Sequence, residues 1–153
     1  MYDDELQTMQ KTVLLVKDSE DDVFFMKRAM TLAGGHQQLQ VAKDGQEAID
    51  YLAGAGIYAD REKYPVPSLV LLDLKLPRVL GMDVLKWIRS RLEFKTLPVV
   101  ILTASGQRAD WERGYRLGVN SYMIKPSSLD DLLRVVQCLS DYWFRYNLLP
   151  AGR

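Results

Sequence analysis

The chain has 153 residues, 48% of them apolar and 26% charged, which is the balance of an ordinary globular domain large enough to enclose one core. Twenty lysines and arginines are matched by 20 aspartates and glutamates, so the charge supplies no pull toward nucleic acid or a membrane surface. No apolar run has the length of a membrane span. The acidic start Met-Tyr-Asp-Asp-Glu lacks a signal-peptide layout, and the lone Cys138 excludes an internal disulfide. A reducing, cytoplasmic setting is expected. Cys138 falls in an apolar helical pattern and reads as a small buried hydrophobe.

In chain order, residues 1–11 read as a polar arm. Thr12 to Val16 is an apolar strand pattern. A helix is predicted from about Glu20 to Ala33, with Val23, Met26, Met30 and Ala33 on one face and Gly34-Gly35 as its stop. His36, the only histidine, sits in the glycine loop that follows and reads as solvated. Leu39 to Ala42 is a short second strand, and Asp44-Gly45 turns into a helix carrying Ala48, Ile49 and Leu52. The connection from Gly54 to Pro67 is longer than a usual crossover loop, which leaves it either functional or mobile.

A third strand ends at Asp73, and a loop leads to a helix from Met82 to about Leu92. Pro98 opens the fourth strand, and a fourth helix is predicted from about Arg108 to Leu117, stopped by Gly118. Its arginines 108, 113 and 116 read mainly as a solvated face. The fifth strand ends at Lys125. Ser128 is the expected N-cap of the last helix, with Asp130 and Asp131 in its first turn. Strands alternating with helices predict a parallel sheet covered on both faces.

The last helix carries more apolar surface than one face of a sheet needs. Leu129, Leu132, Leu133, Val136 and Leu139 form the packing stripe, and Val135, Tyr142 and Tyr146 make a second line. The tail Tyr142-Trp143-Phe144-Arg145-Tyr146 either folds back on its own domain or forms a partner surface, and the second reading is preferred.

Four of the apolar runs end on residues that form one chemical set: Asp18, Asp73, Thr103 and Lys125. In a parallel sheet these endings gather at the carboxyl edge, where open α/β folds place their sites. Two carboxylates, a hydroxyl and an ammonium suit a divalent metal and a phosphoryl group.

With these residues in view, the chain resembles the receiver domains of two-component response regulators. The motifs are the acidic end of the first strand, Leu-Leu-Asp-Leu-Lys-Leu-Pro around Asp73, Leu-Thr-Ala around Thr103, and Lys125-Pro126. The resemblance implies a flavodoxin-like, doubly wound five-stranded parallel sheet in the order 2-1-3-4-5, with five helices and an extended C-terminal tail. It covers residues 12–142, leaving 143–153 as an aromatic extension. The long loop before the third strand and the Leu-Leu-Pro ending also resemble the stand-alone regulators paired with bacterial phytochromes.

The resemblance further implies that Asp73 accepts a phosphoryl group from a sensor histidine kinase or phosphotransfer protein. Asp18, Asp73 and the backbone carbonyl of Lys75 would hold Mg²⁺, Lys125 and Thr103 would meet the phosphoryl oxygens, and Tyr122 would be the aromatic switch, turning inward as Thr103 moves. Labelling confined to Asp73 and dependent on a divalent metal is expected, as is a cis peptide before Pro126. The module would catalyse only its own phosphorylation and dephosphorylation. With no stretch left for an output domain, it would signal through a protein surface, as a homodimer through the fifth helix and tail.

One position departs from the pattern. Receivers usually carry two adjacent carboxylates after the first strand, and here the pair is Lys17-Asp18. At about 5 Å and an effective dielectric of ~20, each unit charge so exchanged is worth on the order of 3 kcal/mol against a metal ion. Lys17 therefore lowers the expected Mg²⁺ affinity unless it turns to solvent or pairs with Glu20, Asp21 or Asp22. The alternative is that its ammonium replaces part of the metal's charge near Asp73. A pseudo-receiver that binds partners without being phosphorylated is the alternative function. A magnesium-dependent phosphohydrolase fits less well, because Asp73-Leu74-Lys75 lacks the second aspartate of such enzymes. A flavodoxin-like electron carrier fits poorly too, because Asp-Ser-Glu-Asp-Asp would repel a cofactor phosphate.

Overall fold

The computed structural model describes residues 11–34 and 37–150. The polar arm up to Gln10, Gly35, His36 and the last three residues lie outside them. Five strands form one parallel sheet: β1 (Thr12–Val16), β2 (Gln38–Ala42), β3 (Leu69–Leu72), β4 (Val99–Thr103) and β5 (Ser121–Ile124). Their order is β2-β1-β3-β4-β5, as expected. The helices between and after them are α1 (Glu20–Leu32), α2 (Gly45–Ala53), α3 (Gly81–Ser90), α4 (Arg108–Arg116) and α5 (Leu129–Ser140).

Alternation along the central strands divides the core. Val13 and Leu15, Leu69 and Leu71, and Val100 and Leu102 face α1 and α5, where Met26, Ala29, Leu132, Val136 and Leu139 cover them. Leu14 and Val16, Val70 and Leu72, and Val99 and Ile101 face the other way, onto Ala48, Leu52, Val84, Leu85 and Ile88. A strand buried on both faces has no polar positions, which is why these runs read as continuous apolar segments.

Helix starts follow local chemistry. Ser19 caps α1 by accepting from the Asp22 N–H, so Asp18 does not serve as the cap. Asp44 caps α2 and Ser128 caps α5 in the same way. Beyond α5 the backbone widens into a π-type turn over Asp141–Tyr146. There Trp143 and Phe144 fold back onto the α1–α5 core, while Tyr142, Tyr146 and Leu148 stay exposed. The fold-back reading therefore holds for Trp143 and Phe144. Cys138 is exposed, contrary to expectation, because it falls between the inward positions Val136 and Leu139 on the outer side of α5.

The long connection after α2 is pinned. Arg61 donates to the carbonyls of Tyr51, Leu52 and Tyr64, at 2.8, 2.9 and 3.3 Å, and so closes the C-terminal end of α2. Tyr51, Tyr58 and Tyr64 pack ring against ring with centroids 4.9–6.0 Å apart. The Tyr51 hydroxyl donates to the Pro65 carbonyl at 2.7 Å. Burial pushes the Tyr51 phenol up to about 12, and burial together with the neighbouring Glu47 does the same for Tyr58.

The start of α3 is pressed against the strand ends. A Cβ on Gly81 would lie 2.1 Å from the Asp73 carbonyl oxygen and 2.8 Å from the Leu74 Cα. The Gly81 N–H donates to the Leu74 carbonyl at 3.0 Å, which fixes the peptide just after Asp73.

Two outcomes follow from this packing. Gly81→Ala must push the 73–74 backbone away and should cost about 1–3 kcal/mol of unfolding free energy, read from denaturant midpoints. Tyr51→Phe should cost about 1 kcal/mol at neutral pH through the lost bond to Pro65. The folded state raises the Tyr51 pKa, so its contribution is complete below the unfolded value near 10 and is lost as pH rises through about 12. Wild type should therefore lose more stability than Tyr51→Phe between these limits, and a parallel decline in both proteins would contradict the assignment.

Candidate phospho-acceptor site

Register brings the site together. β1 and β3 are parallel neighbours with Val16 opposite Leu72, so the next residues, Lys17 and Asp73, meet side by side on the face toward α1 and α5. The ladder continues there, with the Lys17 N–H donating to the Ala42 carbonyl at 3.0 Å and the Asp73 N–H to the Val16 carbonyl at 3.1 Å. Lys17 Nζ donates to Asp73 Oδ2 at 2.6 Å. The other carboxylate oxygen, Oδ1, accepts the Leu74 N–H at 2.7 Å. Both side chains are largely withdrawn from solvent, at 13% and 8% exposure, which places this ion pair beyond the strong screening of a surface pair.

Asp22, in the first turn of α1, extends the contact into a chain of alternating charge. Its Oδ2 lies 3.4 Å from Lys17 Nζ and its Oδ1 lies 2.5 Å from Lys125 Nζ. Burial alone would lower the Lys17 pKa, but its hydrogen bond to Asp73 and the charges of Asp73 and Asp22 outweigh that and hold it above the ordinary lysine value. Burial likewise works against the Asp22 carboxylate, but the hydrogen bond from Lys125 and the two ammonium charges hold it below the usual range. Lys17, Asp22, Asp73 and Lys125 line one cleft, floored by Met26, Leu72, Leu102 and Leu132.

The other expected site residues stand apart from this cleft. Asp18 is exposed and forms no ion pair or hydrogen bond among the described residues. Alternation explains it: Lys17 continues the Val13–Leu15 face, and Asp18 leaves on the other side. Thr103 is 1% exposed at the end of β4, and its hydroxyl accepts the Ser105 N–H at 3.5 Å rather than bonding Asp73. Tyr122 is half-buried against the α2–α3 core, with its hydroxyl donating to the Ser105 carbonyl at 2.8 Å. The ring is directed inward in this structure. The Lys125–Pro126 peptide is trans, which corrects the expected cis bond. Trans is the lower-energy isomer before proline, and in it Lys125 already reaches Asp22. Asp22 itself was not expected as a site residue. Its signal was its position one helical turn after Asp18, on the turn that faces the strand ends.

The implied divalent metal does not fit this arrangement as it stands. The Lys75 carbonyl accepts no hydrogen bond among the described residues and remains available. Asp73, however, has both oxygens engaged, one of them by an ammonium, and Asp18 does not line the cleft. Among the described residues no three Asp, Glu, His or Cys side chains are grouped to hold a metal ion. The cation seated on Asp73 belongs to the protein.

Comparison with known proteins places this geometry in a family. The model of the response regulator receiver domain matches residues 13–137. The probable methanogenesis regulatory protein FilR2 of Methanothrix harundinacea is 38% identical over 142 residues, covering 91% of this chain and 87% of FilR2. Response regulator Rcp1 of Synechocystis sp. is 36% identical over 142 residues, covering 93% of this chain and 95% of Rcp1. The Mn²⁺-bound crystal structure of Rcp1 superposes with a TM-score of 0.84 over 92% of this chain and 99% of that one. The phosphorylated cyanobacterial phytochrome response regulator RcpA superposes with a TM-score of 0.87 at 33% identity, over 94% of this chain and all of its own. The order of the strands, the residues at their ends and these matches agree that the chain belongs to the response regulator receiver domains of two-component signalling.

Proposed function

We propose that this chain is a phospho-accepting signalling module, in which Asp73 takes a phosphoryl group from the phosphohistidine of a sensor histidine kinase or a phosphotransfer protein. The observation that carries the reading is a buried carboxylate at the carboxyl edge of β3, in a cleft shared with two lysines. An Asp73 oxygen attacks phosphorus, the P–N bond breaks, and the imidazole leaves with the electron pair and takes its proton from solvent. Lysine N–H groups offset the negative charge that this transfer brings into the cleft. The chain acts as a signalling component rather than an enzyme on other molecules. Its setting is cytoplasmic, in keeping with its free thiol; among the described residues no helix is long and apolar enough to cross a membrane.

Signal output is assigned to the α4–β5–α5 face. Thr103 and Tyr122 lie beneath it, the Tyr122 N–H donates to the Tyr115 hydroxyl at 3.3 Å, and Trp111, Tyr115 and Ile124 present apolar surface outward. A second reading, a binding module that never carries phosphate, is favoured by the Lys17–Asp73 pair, which engages the nucleophile. Mg²⁺, which the family resemblance implies, would reach Asp73 here only by displacing Lys17 from it.

Self-association is assigned to α5 and the tail, where Tyr142, Tyr146 and Leu148 are 56%, 71% and 72% exposed. A closed two-fold pair is the commonest way to cover such a surface.

Intact-mass analysis after treatment with a small phosphodonor should show one added phosphoryl group on wild type and none on Asp73→Asn. Labelling of Asp73→Asn would remove Asp73 as the acceptor. Light scattering should show a wild-type dimer and a monomeric Tyr142→Ser/Tyr146→Ser variant, a pair of changes that leaves the packed Trp143 and Phe144 untouched. A monomeric wild type, with or without phosphodonor, would contradict the dimer.

A further inference from the structure

We infer that Lys17 is a built-in cation of the phospho-acceptor site, which takes the place of the divalent ion and frees phosphorylation of Asp73 from any metal requirement. The inference rests on Asp73 being the acceptor. Its basis is the distribution of charge and donors in the cleft. A metal beside an acceptor aspartate has two tasks: it offsets negative charge as the phosphoryl group arrives, and it orients the oxygens. Lys17 is positioned for both. Its ammonium lies on Asp73 Oδ2 at 2.6 Å, while the Leu74 N–H fixes Oδ1 at 2.7 Å. The carboxylate is thereby held from both sides.

The donor count also suits a phosphoryl group. An ammonium has three N–H donors. Lys17 spends one on Asp73 and one on Asp22, and Lys125 spends one on Asp22. Among the described residues, one donor of Lys17 and two of Lys125 remain for the phosphoryl oxygens, which are three in number. Asp22 sits between the two ammonium groups and keeps them from repelling each other out of the cleft. A divalent ion would have to approach an ammonium that is 13% exposed and already hydrogen-bonded to Asp73. The transfer itself stays balanced without it: the new bond joins an Asp73 oxygen to phosphorus, the donor's bond to phosphorus breaks, and the donor leaves with that electron pair.

The test uses the full chain and an acyl-phosphate donor, with labelled fraction followed by intact mass in Mg²⁺ and in chelator. Wild type should label in chelator at a rate within about twofold of that in Mg²⁺, whereas Lys17→Met should slow by about tenfold or more in chelator. Lys17→Asp should label only with Mg²⁺. In calorimetric titration, Lys17→Asp should bind Mn²⁺ and wild type should not. Wild-type labelling that requires Mg²⁺, or wild-type Mn²⁺ binding as tight as that of Lys17→Asp, overturns the inference and leaves Asp73 standing as the acceptor. Labelling of Lys17→Asp but not of wild type also overturns it, because Lys17 would then be a block. Absence of labelling in every protein and condition overturns both this inference and the proposed function. The wild-type comparison needs no variant to fold.

Discussion

The pairing of β1 with β3 is the constraint on which the site depends. A parallel register that sets Val16 against Leu72 leaves no choice about the next pair. Lys17 and Asp73 must meet, on the side where α1 delivers Asp22. A slip of one residue would exchange the two layers that Val13 and Leu15, and Leu14 and Val16, fill, and the close packing of each layer resists that exchange. The hydrophobic core thus determines which charge faces Asp73. The pair is held by the whole sheet and not by its own ionic attraction, which desolvation largely offsets.

Much of the fold could be read from the sequence because its signals are local. Apolar runs with polar endings marked the strands, Ser128 and Asp44 marked helix starts, and glycines marked stops. The site was legible in part. Asp73 and Lys125 lie where the strand endings put them, but Asp18 was favoured over Lys17 by its chemistry alone. Which of two adjacent residues points into a cleft depends on register, and register is a property of two strands. Asp22 was hidden for the same reason, since only the approach of α1 to the sheet shows which of its three acidic residues turns inward. Cys138 illustrates the limit of a one-dimensional stripe: a residue between two inward positions on a helix need not itself face in.

The tail divides a single aromatic cluster into a packed pair and an exposed pair. Trp143 and Phe144 complete the α1–α5 layer, whereas Tyr142 and Tyr146 project from the same turn. Helical spacing separates them, because positions 142 and 146, four apart, share one face while 143 and 144 lie on the other. Packing of the first pair sets the direction in which the second pair points.

The connection between α2 and β3 has a consequence for how the chain meets proteases. Its length and composition are those of a segment usually open to cleavage. Here one guanidinium closes the end of α2, and edge-on and tilted contacts among Tyr51, Tyr58 and Tyr64 anchor the segment to that helix. A protease needs a stretch of backbone it can unfold locally and draw into an extended form. Extending residues 55–66 would cost the Arg61 bonds and the tyrosine cluster together, so the longest loop of the domain resists nicking as its helices do.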